Sequence, residues 1–200
     1  MGAGIAEVLA RHGVEVIGVE HDEAGLERAK GHLDRSTGRA VSRGKLTEAE
    51  QTELLGRLTL STDLTALKDC DLVIEAIPER MELKRELFAA LDGLLAPEAV
   101  LATNTSALSV TELATGTGRP SKVVGLHWFN PAPVMGLVEV VRTVVTDPSV
   151  DAQVQELVPA DGHQAATAGH RPAFISNALP RRSPPHPPMA PVTAVINLPP

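Results

Sequence analysis

Ile5-Ala6-Glu7-Val8-Leu9-Ala10-Arg11-His12-Gly13 runs directly into Val14-Glu15-Val16-Ile17-Gly18-Val19-Glu20, and this pair of segments decides the fold. Ile5, Val8 and Leu9 recur at helical spacing and give a helix over residues 3–12 one apolar face. Gly13 stops that helix, and the β-branched run at 14–19 reads as a buried strand that ends in an acid. A helix feeding a strand is the unit of a parallel sheet wrapped by helices, and the rest of the chain repeats it. A polar helix is expected over 22–43, and Thr47-Glu48-Ala49-Glu50 reads as a capping box opening a short helix that ends near Gly56. Strands follow at 58–61 and 72–76, then a helix at 81–96 with Leu83, Leu87, Phe88, Leu91, Leu94 and Leu95 on one face. Further strands are expected at 100–103, 123–126 and 137–141. Ser109 caps a brief helix, and Asp147-Pro148 opens one that turns Val150, Val154 and Leu157 inward.

Composition narrows the function classes. The 200 residues are 43% apolar, enough to build a core, with a formal charge of -7 and a pI near 5.5. That balance argues against a nucleic-acid or anionic-membrane partner, because phosphate binding needs clustered Lys and Arg. No apolar run approaches bilayer length and the amino terminus shows no signal pattern, so the expected setting is the cytoplasm. Cys70 stands alone; beside Leu72-Val73-Ile74 it reads as a small packed residue rather than half of a disulfide. No metal site is indicated.

His127 lies in Gly125-Leu126-His127-Trp128-Phe129-Asn130-Pro131-Ala132-Pro133, with Glu139 twelve residues on and Asn104-Thr105-Ser106 upstream. A histidine ending an apolar strand, followed at once by a Pro-broken loop, sits at the carboxyl edge of a sheet, where open α/β sheets bind ligands. Imidazole ordinarily titrates near neutral pH and suits removal of a hydroxyl proton. Glu139 would hold the other ring nitrogen; an acid flanked by Leu137, Val138, Val140 and Val141 would be costly to bury without a partner. Glu20 ends its strand about where a dinucleotide-binding unit places the acid that accepts from a ribose 2'-hydroxyl, and no arginine within 21–23 welcomes a 2'-phosphate. Its other reading is an exposed acid at a strand end or a helix cap.

The His127 to Pro131 and Leu137 to Val140 segments resemble the L-3-hydroxyacyl-CoA dehydrogenases, the family that includes the 3-hydroxybutyryl-CoA dehydrogenases. The likeness covers most of residues 1 to about 157 and implies a Rossmann-like doubly wound parallel sheet that binds NAD. It implies His127 as the base, Glu139 as its orienter, Ser106 as a hydrogen-bonding partner of the substrate oxygen, and a catalytic role for Asn177, which lies at the family's spacing from His127. The cofactor residues it implies are Gly2, Glu20, Ala76, Glu79, Lys84, Ser106 and Asn130. Plainer readings stand beside these: Glu79 as an acid at a helix start, Lys84 as a solvated face and Ser106 as a turn or cap residue. The reaction implied is NAD-dependent oxidation of an (S)-3-hydroxyacyl-CoA in fatty-acid or butanoate metabolism.

Met1 and Gly2 match the last two positions of the family's Gly-x-Gly-x-Met-Gly turn. The sequence therefore predicts a sheet lacking its first, central strand, with a start assigned, or a fragment cut, at an internal methionine. Residues 1–157 are expected to form the NAD-binding domain and 158–179 a degraded hinge region without the family's apolar strand, although Arg171 to Asn177 is similar to its hinge segment. Half of the sixteen prolines fall in residues 180–200, which predicts a Pro-rich disordered tail. The family's helical domain, through which it dimerises and builds its acyl pocket, is not matched here. Activity is accordingly expected to be impaired, and the alternative is a non-catalytic remnant or a crystallin-like relative that keeps the fold.

Overall fold

Helix α1 (Gly2–Arg11) and strand β1 (Val16–Glu20) form as the periodicity predicts, and Gly13, at φ +89°, turns the chain between them in a left-handed conformation. The structure, a computed structural model, describes residues 1–160, 164–169 and 193–197. Helix α2 (Glu23–Ser42) starts at Asp22, whose carboxylate accepts from the Gly25 amide at 2.6 Å. Helix α3 (Glu48–Gly56) opens on the expected capping box, with Thr47 and Glu50 satisfying each other's backbone amides. Then come β2 (Leu58–Ser61), β3 (Leu72–Glu75), α4 (Met81–Leu94), β4 (Val100–Thr103), α5 (Val110–Thr115), β5 (Val123–Trp128), β6 (Leu137–Arg142) and α6 (Pro148–Ala160). Each lies within a few residues of its expected span.

The strands form one sheet in the order β2-β1-β8-β3-β4-β5-β6-β7. Every pairing in it is parallel except β5 with β6. Alternate residues of each strand feed two cores, one on either face. Ile74, Ala102, Val124 and Val140 pack with α1, Leu54 and α6 on one side. Val73, Leu101, Val123 and Val141 pack with α4, α5 and Leu67 on the other. Burying a side chain such as Leu9 or Leu91, both fully enclosed, contributes about 1.5–3 kcal/mol each. Gly125 lets α5 and β6 pack closely on β5: a Cβ there would stand 2.8 Å from Val141 and 3.1 Å from Val110 of α5. Cys70 is buried, and burial followed by the carboxylates of Asp71 and Asp69 pushes its thiol up to about 11, so it stays protonated and inert.

Two expectations are corrected. The stretch beyond 157 is not without a strand: α6 continues to Ala160, and β7 (Gln164–Gly169) pairs in parallel with β6. Its small residues, Gln-Ala-Ala-Thr-Ala-Gly, carry little apolar signal, and the partner's unpaired edge is what makes them a strand. The slot between β1 and β3 is not open either. It holds β8 (Thr193–Asn197), parallel to both, with Val195 opposite Gly18 on one side and Ile74 on the other. Thr-Ala-Val-Ile-Asn is a strand-forming run lying between Pro191 and Pro199, so the prolines that exclude helix leave these five residues suited to extended pairing. The remainder of the expected disordered tail, like the hinge-like segment around Asn177, lies outside the described residues. Among the described residues no helix is long and apolar enough to cross a membrane.

Candidate active site

β5 and β6 are antiparallel neighbours, and their register places His127 directly opposite Glu139. His127 Nδ1 lies 2.7 Å from Oε2 of Glu139, whose side chain is 1% exposed. With the carboxylate ionised, Nδ1–H donates to it and Nε2 carries the ring's lone pair. The Phe129 ring lies against the imidazole, with centroids 4.6 Å apart. The strand end is tied to its neighbour by Asn104, whose Oδ1 accepts from the Trp128 amide at 2.8 Å while its own amide donates to the Glu75 carbonyl at 2.8 Å.

Ser106 lies just beyond β4, in a loop gathered around one carboxylate. Oε1 of Glu79 accepts from Thr105 Oγ1 at 2.5 Å, from the Ser106 amide at 2.9 Å and hydroxyl at 3.2 Å, and from the Ala107 amide at 3.2 Å. Partial burial works to raise the Glu79 carboxyl. The donors from Thr105 and Ser106, the Lys84 ammonium and the Ala107 amide outweigh it and hold the group below its ordinary 4.5. A depressed acid stabilises the folded loop above the unfolded value of 4.5 and loses that contribution as pH falls through the lower folded value. In a pH titration followed by NMR, the Ser106 and Ala107 amide resonances are therefore expected to move together with a midpoint below 4.5. A midpoint at or above that value would contradict the arrangement.

Glu20 ends β1 and is 5% exposed. It lines a cleft at the amino terminus of α1 together with Met1, Gly4, Gly25 and Asn130. Gly25 makes the close approach possible, since a Cβ there would stand 2.9 Å from Oε2 of Glu20. A helix amino terminus facing a cleft favours an anion, and a carboxylate on the rim favours a diol over a phosphate. Residues 1–170 match the family described as the 3-hydroxyacyl-CoA dehydrogenase NAD-binding domain.

The chain belongs to that family. The 3-hydroxyacyl-CoA dehydrogenase domain seen here is 47% identical over 181 residues to a 3-hydroxybutyryl-CoA dehydrogenase of Mycobacterium tuberculosis, covering 90% of this chain and 63% of that protein. It is 44% identical to the 3-hydroxyadipyl-CoA dehydrogenase of Escherichia coli over 90% of this chain and 38% of the other. The crystal structure of M. tuberculosis FadB2 superposes with a TM-score of 0.86 at 46% identity, covering 88% of this chain and 62% of that one. The chain thus spans less than two thirds of the length of these relatives. NAD is the cofactor of the domain.

The residues singled out from the sequence fall into three places in this dehydrogenase domain. His127 and Glu139 form one hydrogen-bonded pair, Glu79 and Ser106 a second, and Glu20 and Asn130 line the α1 cleft. Gly2 is buried in the first turn of α1, Ala76 follows β3, and Asn177 lies outside the described residues. Lys84 is 1% exposed and bonded within the protein, not on a solvated face. Sequence reading passed over Glu75 and gave Asn104 no role of its own. The signal for Glu75 was present: an acid closing the otherwise apolar run Leu72-Val73-Ile74 must find partners if the strand is buried.

Proposed function

We propose that the protein oxidises an (S)-3-hydroxyacyl-CoA to the 3-ketoacyl thioester with NAD, using His127 as the base. The observation that carries this reading is the His127–Glu139 pair, set across two strands at the ligand-binding edge of the sheet. Removing the hydroxyl proton from a secondary alcohol needs a lone pair, and the Glu139 bond on Nδ1 assigns it to Nε2. The imidazolium that forms is then stabilised by the same buried carboxylate. Ser106, whose hydroxyl donates to Glu79 at 3.2 Å, would turn that hydrogen to the substrate oxygen. NAD, when bound, supplies the acceptor for the hydride. The α1 amino terminus and Glu20 would hold its pyrophosphate and ribose, and Asn130 the far side of the cleft. In the reverse direction His127 donates the proton to a ketone.

The setting proposed is the cytoplasm, and the further length of the relatives is where the acyl pocket and a contact with a second copy are expected. The test is calorimetric titration of the chain with NADH and NADPH, together with oxidation of (S)-3-hydroxybutyryl-CoA by the 200-residue chain and by the chain joined to a relative's remaining length. NADH is expected to bind at least about tenfold more tightly than NADPH, because a 2'-phosphate would face the Glu20 carboxylate. Turnover is expected to be far higher in the extended chain than in the 200 residues alone, because the added length would exclude water from the alcohol. Equal affinities would remove Glu20 from ribose recognition, and an inactive extended chain would sink the dehydrogenase reading.

A further inference from the structure

We propose that Glu75 and Lys84 are a buried positioning pair that sets the Ser106 loop by holding Glu79 in place. The proposal rests on the dehydrogenase reading only for the purpose Ser106 serves. Lys84 Nζ donates to Oε1 of Glu75 at 2.6 Å and to the Ile77 carbonyl at 3.3 Å, and lies 3.5 Å from Oε2 of Glu79. Two of the ammonium's three N–H groups are thus hydrogen-bonded within the protein, and its charge faces the Glu79 carboxylate. Lys84, at 1% exposure, acts on the Ser106 loop through Glu79.

Glu75 is fully buried and equally committed. Its Oε1 also accepts from the Ile77 amide at 2.7 Å, and its Oε2 accepts from Thr103 Oγ1 at 2.7 Å, which in turn accepts from the Thr105 amide at 3.2 Å. One carboxylate thus joins the ends of β3 and β4 to the first turn of α4. Glu79 then gathers Thr105, Ser106 and Ala107 with its remaining oxygen. An ion pair taken wholly out of water offsets its own desolvation at best, so stability alone does not account for it. Its geometry is what the loop uses: with the Lys84 charge absent, Glu79 loses the contact that fixes its other oxygen.

The experiment compares the parent chain with Glu75→Gln/Lys84→Met, which removes both charges while leaving an amide side chain to meet the Ile77 N–H and the Thr103 hydroxyl, by melting temperature and residue-resolved amide exchange. The double variant is expected to melt within a few degrees of the parent. Its Ser106 and Ala107 amides should exchange about tenfold faster or more, with the amides of β3 and β4 unchanged. Parent-like exchange at Ser106 and Ala107 overturns the proposal. Lys84→Met alone serves if the double variant does not fold, since Glu75, already raised by burial, can then take up a proton. The readout needs neither cofactor nor turnover. Failure of NADH to bind the parent would count against the dehydrogenase reading and leave the exchange result to decide this one.

Discussion

His127→Ala is expected to lower turnover with (S)-3-hydroxybutyryl-CoA and NAD about 10²- to 10⁴-fold in the extended chain, the usual range for loss of a general base. The melting temperature should also fall, because the alanine removes a partner from the buried Glu139 carboxylate, while Val138, Val140 and Leu126 keep the strand pair packed, so turnover is compared below that transition. Glu139→Gln should also lose activity, since an amide cannot stabilise the imidazolium as a carboxylate does and can present its NH2 to Nδ1, reversing the tautomer. Unaltered turnover in the alanine variant would take His127 out of the chemistry, whatever the dyad looks like.

The second large effect concerns the centre of the sheet. In the 200-residue chain, Val195→Pro is expected to cost about 3 kcal/mol, and so to lower the melting temperature by roughly 6 to 12 °C. Val195 lies between Gly18 and Ile74 in the middle of β8, so a proline there removes a ladder donor and leaves a carbonyl of a buried neighbouring strand without its partner. The same substitution at exposed Val144, in the turn after β6, should shift the transition far less. A melting curve for Val195→Pro that overlays the parent would show that β1 and β3 do not depend on β8.

Much of this architecture is legible in the sequence because its helices and strands announce themselves locally. Ile5, Val8 and Leu9 mark the inner face of α1, and Leu87, Phe88 and Leu91 that of α4; both faces are buried in the structure. What escapes is decided by partners distant in sequence. Gln164–Gly169 has the composition of a loop and becomes a strand through the open edge of β6. Thr193–Asn197 is hidden by the prolines around it and is recruited by two unpaired edges at once. At the candidate site, His127 and Glu139 stand out as polar residues in apolar runs, but the antiparallel pairing that makes them partners is not written in their spacing. Glu75 was missed for a related reason: its partners Thr103 and Lys84 lie 28 and 9 residues away in the chain, on other elements.

The antiparallel pairing of β5 with β6 has an evolutionary side. Because His127 and Glu139 meet through strand register, the segment linking the strands can lengthen or shorten at its tip without moving either side chain, whereas a single inserted residue inside either strand would turn one of them to the opposite face of the sheet. Insertions at 134–136, beyond the residues that line the α1 cleft, are therefore free to reshape whatever approaches the base while the proton-handling unit is inherited intact. Diversity of substrate can accumulate in that connection at little risk to the chemistry.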